Sequence, residues 1–329
     1  MLRARDSIRS ASPYLLFLLP LTTFSPQTPK NKPLEERIWL ESGPRESSVD
    51  ILFIGDGYSA KELARVGKYW KDVERCSKRL FQDEPFSSSK GRFNVRALFV
   101  ESKQTGCDQS ADKDEVDTAL DCRFDTRDGR LLAFKNSERL KELVLKSGQT
   151  DIVFVMVNTE RYGGAGTELS EILVRDRALP APTYAAQDTR SFLIALHELG
   201  HSFADLDDEY VDDQMHKSFP LPEKGDFEEA NVSLGASFER GSFERLKATV
   251  KWRHFLDLPG AAKEKWFHEG GFFRERGVFR PWPNCRMREN EQQFCPICSE
   301  EVAKAIQSAC GMNWDDAAWH KAHPLTEWH

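Results

Sequence analysis

His197-Glu198-Leu199-Gly200-His201 constrains this chain more than any other stretch. An α-helix turns once in about 3.6 residues, so histidines four apart leave the same side, one turn apart. Two imidazoles placed that way can grip one divalent ion. Glu198 projects beside them, where a carboxylate can take a proton from a water polarised by that ion. The local sequence supports the helix this requires. Asp188 or Thr189 can cap a helix beginning near Arg190, and Phe192, Ala195, Leu196, Leu199 and Phe203 recur at helical spacing and would face a core. Zinc is the expected cofactor.

The five-residue pattern alone is weak, because a chain of this length shows it by chance on the order of one time in a hundred. A histidine on a helix is by default a satisfied surface or core residue. The acidic residues just after the motif raise the odds: Asp205, Asp207, Asp208 and Glu209 come immediately after it. A catalytic zinc needs a third protein ligand and an open fourth position. In the extended metzincin pattern that ligand lies ten residues after the first histidine, which is Asp207 here. The same pattern has a glycine where this chain has Ala204, so the turn geometry can differ and Asp208 stays a candidate beside Asp207.

The flanking sequence predicts alternating strands and helices. Val49–Ile54 reads as a buried strand broken at Gly55-Asp56-Gly57, and a helix is expected from about Ser59 to Leu80, with Gly67 lowering its propensity. Phe93–Val100 and Asp151–Val157 read as further strands, and Glu138–Leu145 as a helix. Tyr162–Gly166 lacks the Lys-Ser/Thr ending of a phosphate loop and is expected to be an edge segment beside a cleft. The segment from Asp212 to Ser242 is polar and without period, hence looped. The fold class expected is α/β (α+β): a mixed twisted sheet, an active-site helix and a loop-rich carboxy-terminal part.

Charge and termini narrow the function further. Lys and Arg total 46 against 53 Asp and Glu, a net charge of −7 with no basic block, which argues against a nucleic-acid partner. Arg3, Arg5 and Arg9 precede a short apolar run from Tyr14 to Leu21, the layout of a secretory signal peptide. That run is too short to span a bilayer stably. Export, to a periplasmic or extracellular location, is therefore expected, with no stable membrane insertion after cleavage. Seven cysteines fit an oxidising address. Cys107 with Cys122, and the cluster Cys285, Cys295 and Cys298, are disulfide candidates, and Cys76 is the expected odd thiol. Cys295-Pro296-Ile297-Cys298 could suggest zinc, but a structural site wants four ligands and only Cys285 stands nearby in sequence.

Read as His-Glu-Leu-Gly-His-Ser-Phe-Ala-Asp-Leu-Asp-Asp-Glu-Tyr, residues 197–210 resemble the signature of the IgA-peptidase-type metallopeptidase family. Further matches are Gly55–Ser59, Glu84-Pro85-Phe86, Arg92–Val95, Asp117–Leu120, Tyr162-Gly163-Gly164, Lys251-Trp252, Glu269-Gly270-Gly271, Arg280-Pro281, Asn284–Arg288 and Phe294–Cys298. The resemblance runs from about Asp50 to Ile306. It implies a zinc endopeptidase with a metzincin-like catalytic domain. It favours Asp208 over Asp207 as the third ligand beside His197 and His201, with Glu198 as general base. It also implies that Met287 is the methionine turn beneath the ion, with Cys285 bridged to Cys295 or Cys298.

The organisation expected is a signal peptide at 1–27, a linker at 28–47 and a catalytic domain at 48–329, divided at 204/205. The partner is a protein or peptide substrate lying in the cleft between the two parts. Two rival readings are a zinc amidase acting on cell-wall peptides and a non-catalytic binding protein on a peptidase scaffold. Nothing in the sequence marks an immunoglobulin-binding region.

Overall fold

The run Val49–Asp56 is buried at every position, which a strand tolerates only when both its faces are covered. The computed structural model describes residues 35–63, 67–112, 114–125, 129–235, 250–261 and 266–328. The expected signal peptide lies outside the described residues. Strands β1 (Glu35–Leu40), β2 (Val49–Asp56), β3 (Phe93–Phe99), β4 (Ile152–Val157), β5 (Gly164–Ala165) and β6 (Thr183–Ala185) form one mixed sheet in the order β1-β3-β2-β4-β6-β5. The four central strands run parallel, with β2 between β3 and β4 and with β6 beside β4. Both edges, β1 and β5, are antiparallel to their neighbours. The stretch expected to be a linker thus supplies an edge strand.

Strand alternation divides the core. Ile51 and Phe53 point to one side, where they join the helices α1 (Lys68–Leu80) and α3 (Ser191–Ala204). Leu52 and Ile54 point to the other, where α2 (Ser137–Ser147) brings Leu140, Leu143 and Val144. Helices cover both faces, and the architecture is mixed α/β as expected. The first helix differs from the sequence reading: a short 3₁₀ turn over Ala60–Leu63 precedes α1, and Gly67 is its N-cap rather than an interior residue. A cap has non-helical backbone angles, so glycine there costs far less than inside a helix.

After α3 the chain changes character. A small antiparallel sheet of β7 (Ser233–Leu234), β8 (His268–Gly271) and β9 (Arg274–Arg280) is embedded in loops. Two helices close the chain, α4 (Pro296–Ala309) and α5 (Asp316–Ala322). Its apolar residues, among them Trp252, Trp266, Met287 and Ile306, continue the core on the α1/α3 side of the main sheet. No helix among the described residues is long and apolar enough to cross a membrane.

Candidate metal centre and catalytic residues

α3 carries the motif, and its start is fixed by Asp188, whose Oδ1 accepts from the backbone N–H groups of Arg190 at 2.9 Å and Ser191 at 3.2 Å. One of the two expected caps therefore acts. Ten of the fourteen residues of α3 are buried, His197 among them, so the helix is held by packing rather than by propensity. Gly200 has a packing reason: a Cβ there would lie 2.6 Å from Met287 Sδ and 3.2 Å from Phe294. Met287 is fully buried directly beneath the turn that joins the two histidines.

The helix ends one residue late by the metzincin count. Asp205 takes the left-handed conformation, φ 50°, that glycine usually supplies, and Leu206 N–H returns to Gly200 O at 3.0 Å. Arg177 grips the Asp205 carboxylate. Because the reversal falls one residue later than the pattern's glycine, the acid that swings back over the imidazoles is also one residue later. It is Asp208. Its Oδ1 lies 3.1 Å from His197 Nε2 and 3.2 Å from His201 Nε2, and the two Nε2 atoms are 3.1 Å apart. Asp207 points elsewhere. Its backbone N–H donates to Asn231 Oδ1, and burial together with the charge of Glu229 pushes its carboxyl up to about 7.

The protonation of this triangle follows from its surroundings. His197 Nδ1 donates to Arg286 O at 2.9 Å and His201 Nδ1 to Leu206 O at 2.6 Å. A carbonyl only accepts, so each Nδ1 carries the hydrogen and each Nε2 turns a lone pair inward. Asp208 Oδ1, buried, has no hydrogen-bond partner. Three acceptors converging this closely repel one another unless a cation lies among them. Ligand atoms arranged tetrahedrally around zinc at 2.0–2.1 Å are about 3.3–3.4 Å apart, close to the spacing of the three atoms here. The residues present fit such an ion. With only protons to balance the charge, burial opposes the ionised forms of both groups, yet Asp208 raises His201 to about 9 while the two imidazoles hold Asp208 down at about 2, so a proton on His201 competes with an ion for this pocket.

Other residues position this set, and sequence reasoning missed several. Asn231, fully buried, brackets the acidic loop by donating to Asp207 O at 2.8 Å and Glu209 Oε1 at 3.0 Å. Glu209 N–H donates to Met287 O at 2.8 Å, so the methionine segment holds the acidic loop on one side and, through Arg286 O, His197 on the other. Arg286 is itself buried against Asp83, at 2.8 Å. Glu198 lies against β5's continuation: a Cβ on Gly166 would come 2.2 Å from its Oε2, so only a bare backbone leaves room for the carboxylate. Tyr210 is stacked edge-on against Phe273, and burial, then the charges of Asp208 and Glu198, push its phenol above the usual range. A groove lined by Glu168, Arg177, Ser202, Glu228 and Glu229 opens beside His201.

One further expectation and two of the matched residues meet the structure here. All seven cysteines are buried with free thiols, so neither expected disulfide is present. Glu269 and Arg280 have structural partners, Glu269 accepting from Gly277 N–H and Arg280 donating to Gly270 O.

A search of curated proteins returns no match. A family model described as IgA Peptidase M64 matches residues 38–257, more than half of the chain, from β1 through the acidic loop and short of Met287. The histidine pair, Glu198 and Asp208 all lie within that match, and the chain therefore belongs to the IgA peptidase M64 family of metallopeptidases.

Proposed function

We propose that this chain is a zinc-dependent endopeptidase in which His197, His201 and Asp208 hold the metal and Glu198 is the general base. The observation that carries the reading is the triangle of three inward-facing acceptors at 3.1–3.2 Å, with both imidazole tautomers set by backbone carbonyls. Zinc bound there supplies Lewis acidity, lowering the pKa of a water towards neutrality and polarising the scissile carbonyl. Glu198, one residue along the helix from His197 and seated over Gly166, takes the proton from the attacking water and returns it to the leaving amine. Gly166 follows β5, the end strand of the main sheet, whose Gly164 N–H is already given to Arg130 O at 3.0 Å, so an extended peptide would meet the backbone beyond Gly164. Such an arrangement suits cleavage within a chain. Met287 supports the site from beneath α3 and ligates nothing. Metzincin-like architecture and export belong to the same proposal, the second supported by the pattern of the first residues.

The test is Glu198→Gln assayed on a panel of proteins and muropeptides with zinc content measured in parallel. A fall of about 10²–10⁴-fold in kcat on protein substrates with zinc retained is expected. Unchanged hydrolysis would overturn the role of Glu198. Activity confined to muropeptides would replace endopeptidase by amidase.

A further inference from the structure

Among the described residues, four groups of three or more histidine, cysteine or carboxylate side chains converge closely enough to hold an ion. In two of them a protein cation already stands. Lys304 Nζ is 2.6 Å from Glu300 Oε1 in the group with His254 and His320. Arg123 reaches Asp114 at 3.3 Å and Asp108 at 3.8 Å in the group completed by Asp121. The third is the triangle on α3. The fourth is Cys285, Cys295, Cys298 and Glu209, whose ligand atoms all lie within 4.8 Å of one another.

We propose that Cys285, Cys295, Cys298 and Glu209 bind a second zinc ion whose role is structural. The four side chains are 0–2 % exposed, so water supplies none of their hydrogen bonds. Glu209 Oε1 accepts from Asn231 and Cys298, but Oε2 has no partner, and a buried carboxylate oxygen left that way is costly. The fourth ligand that the sequence lacked is therefore the acid next to Asp208. Three soft thiolates select zinc over harder cations, and four protein ligands close the shell as structural sites do. Zn–S bonds of about 2.3 Å put tetrahedral sulfurs about 3.8 Å apart, inside the observed cluster.

The backbone fits the same reading. Cys295 is the N-cap of α4, Pro296 is its first residue and Cys298 lies in its first turn, where helix N–H groups and the dipole favour thiolate. Cys295 N–H already points at Cys285 Sγ, at 3.3 Å. Binding releases the thiol protons to solvent and needs no oxidant. The rival, a disulfide between two of the three, leaves the third thiol and Glu209 Oε2 together with nothing between them.

Position gives this ion a purpose. Glu209 follows Asp208, and Cys285 is two residues before Met287, so one ion would tie the acidic loop to the methionine segment and to α4. This second ion does not depend on the peptidase reading, and its test is separate. The full chain and a His197→Ala/His201→Ala variant are purified, and zinc per chain is measured. Two zinc ions are expected in the first and one in the second. Cys298→Ser added to the double variant should remove that last ion. Cobalt exchanged into the double variant should show the intense near-ultraviolet band of sulfur-to-cobalt charge transfer. In the wild-type chain, alkylation under denaturing conditions with chelator should modify all three cysteines without prior reduction. A double variant free of metal, cobalt without the charge-transfer band, or a disulfide among the three cysteines would overturn the proposal. If the variants fail to fold, the charge-transfer band of the cobalt-exchanged wild-type chain and its thiol count still decide.

Discussion

Two loops of this protein bury carboxylates at the ends of core elements, and they treat them oppositely. At the end of β2, Asp56 is fully buried, and its oxygens accept from Leu120 N–H at 2.9 Å, Cys122 N–H at 3.0 Å and Thr118 Oγ1 at 2.8 Å. After α3, Asp208 and Glu209 are buried as well, yet Asp208 Oδ1 and Glu209 Oε2 have no hydrogen-bond partner. Both loops match family motifs, so the motif does not tell them apart. Hydrogen-bond satisfaction does. A chain that surrounds a carboxylate with its own donors uses it as a brace, whereas one that leaves a buried carboxylate oxygen unpaired among imidazoles or thiols has the arrangement that the proposed cations would complete.

That contrast can be broken by substitution. The largest effect is expected from Asp208→Asn, which should weaken zinc binding at the α3 site by at least about 100-fold, more than the usual loss of a supporting residue. Asp207→Asn should leave that affinity within a few-fold. Titration of the two variants against a metal buffer separates them, and a larger loss in Asp207→Asn would reverse the assignment. Gly166→Ala comes next: the added methyl meets Glu198 Oε2 and should cut kcat by about 10²-fold with zinc content unchanged. Asp56→Asn should do the converse. It replaces an acceptor of several donors by a group that is half donor, and about 2–3 kcal/mol of stability should go, read as a lower denaturant midpoint, with zinc per chain unchanged. Loss of zinc before loss of structure in that variant would erase the distinction between the loops.

Much of the fold was legible from periodicity. The apolar runs at 49–54, 93–100 and 151–157 became β2, β3 and β4 because strands buried on both faces need no alternation. Gly67 was read as interior because propensity says nothing of where a helix begins. β1 was missed for a different reason: Glu35–Leu40 alternates exposed and half-buried positions as a polar edge strand, and its pairing with β3 is a long-range event. At the candidate site, spacing on a helix pointed to His197, Glu198 and His201, and the preference for Asp208 over Asp207 came from resemblance. Its physical cause, a left-handed Asp205 that delays the reversal by one residue, cannot be read from residue types, since aspartate there looks like part of an acidic run. Asn231 and the packing role of Gly166 escaped for the same reason. Each acts on partners more than twenty residues away or beyond a turn, and no local pattern encodes that.

The cation proposed for the α3 triangle is open to direct observation. A crystal of the full chain measured above and below the zinc absorption edge should show an anomalous peak about 2 Å from His197 Nε2, His201 Nε2 and Asp208 Oδ1. No peak there in zinc-replete protein, or a peak ligated by Asp207 in place of Asp208, would contradict this metal centre.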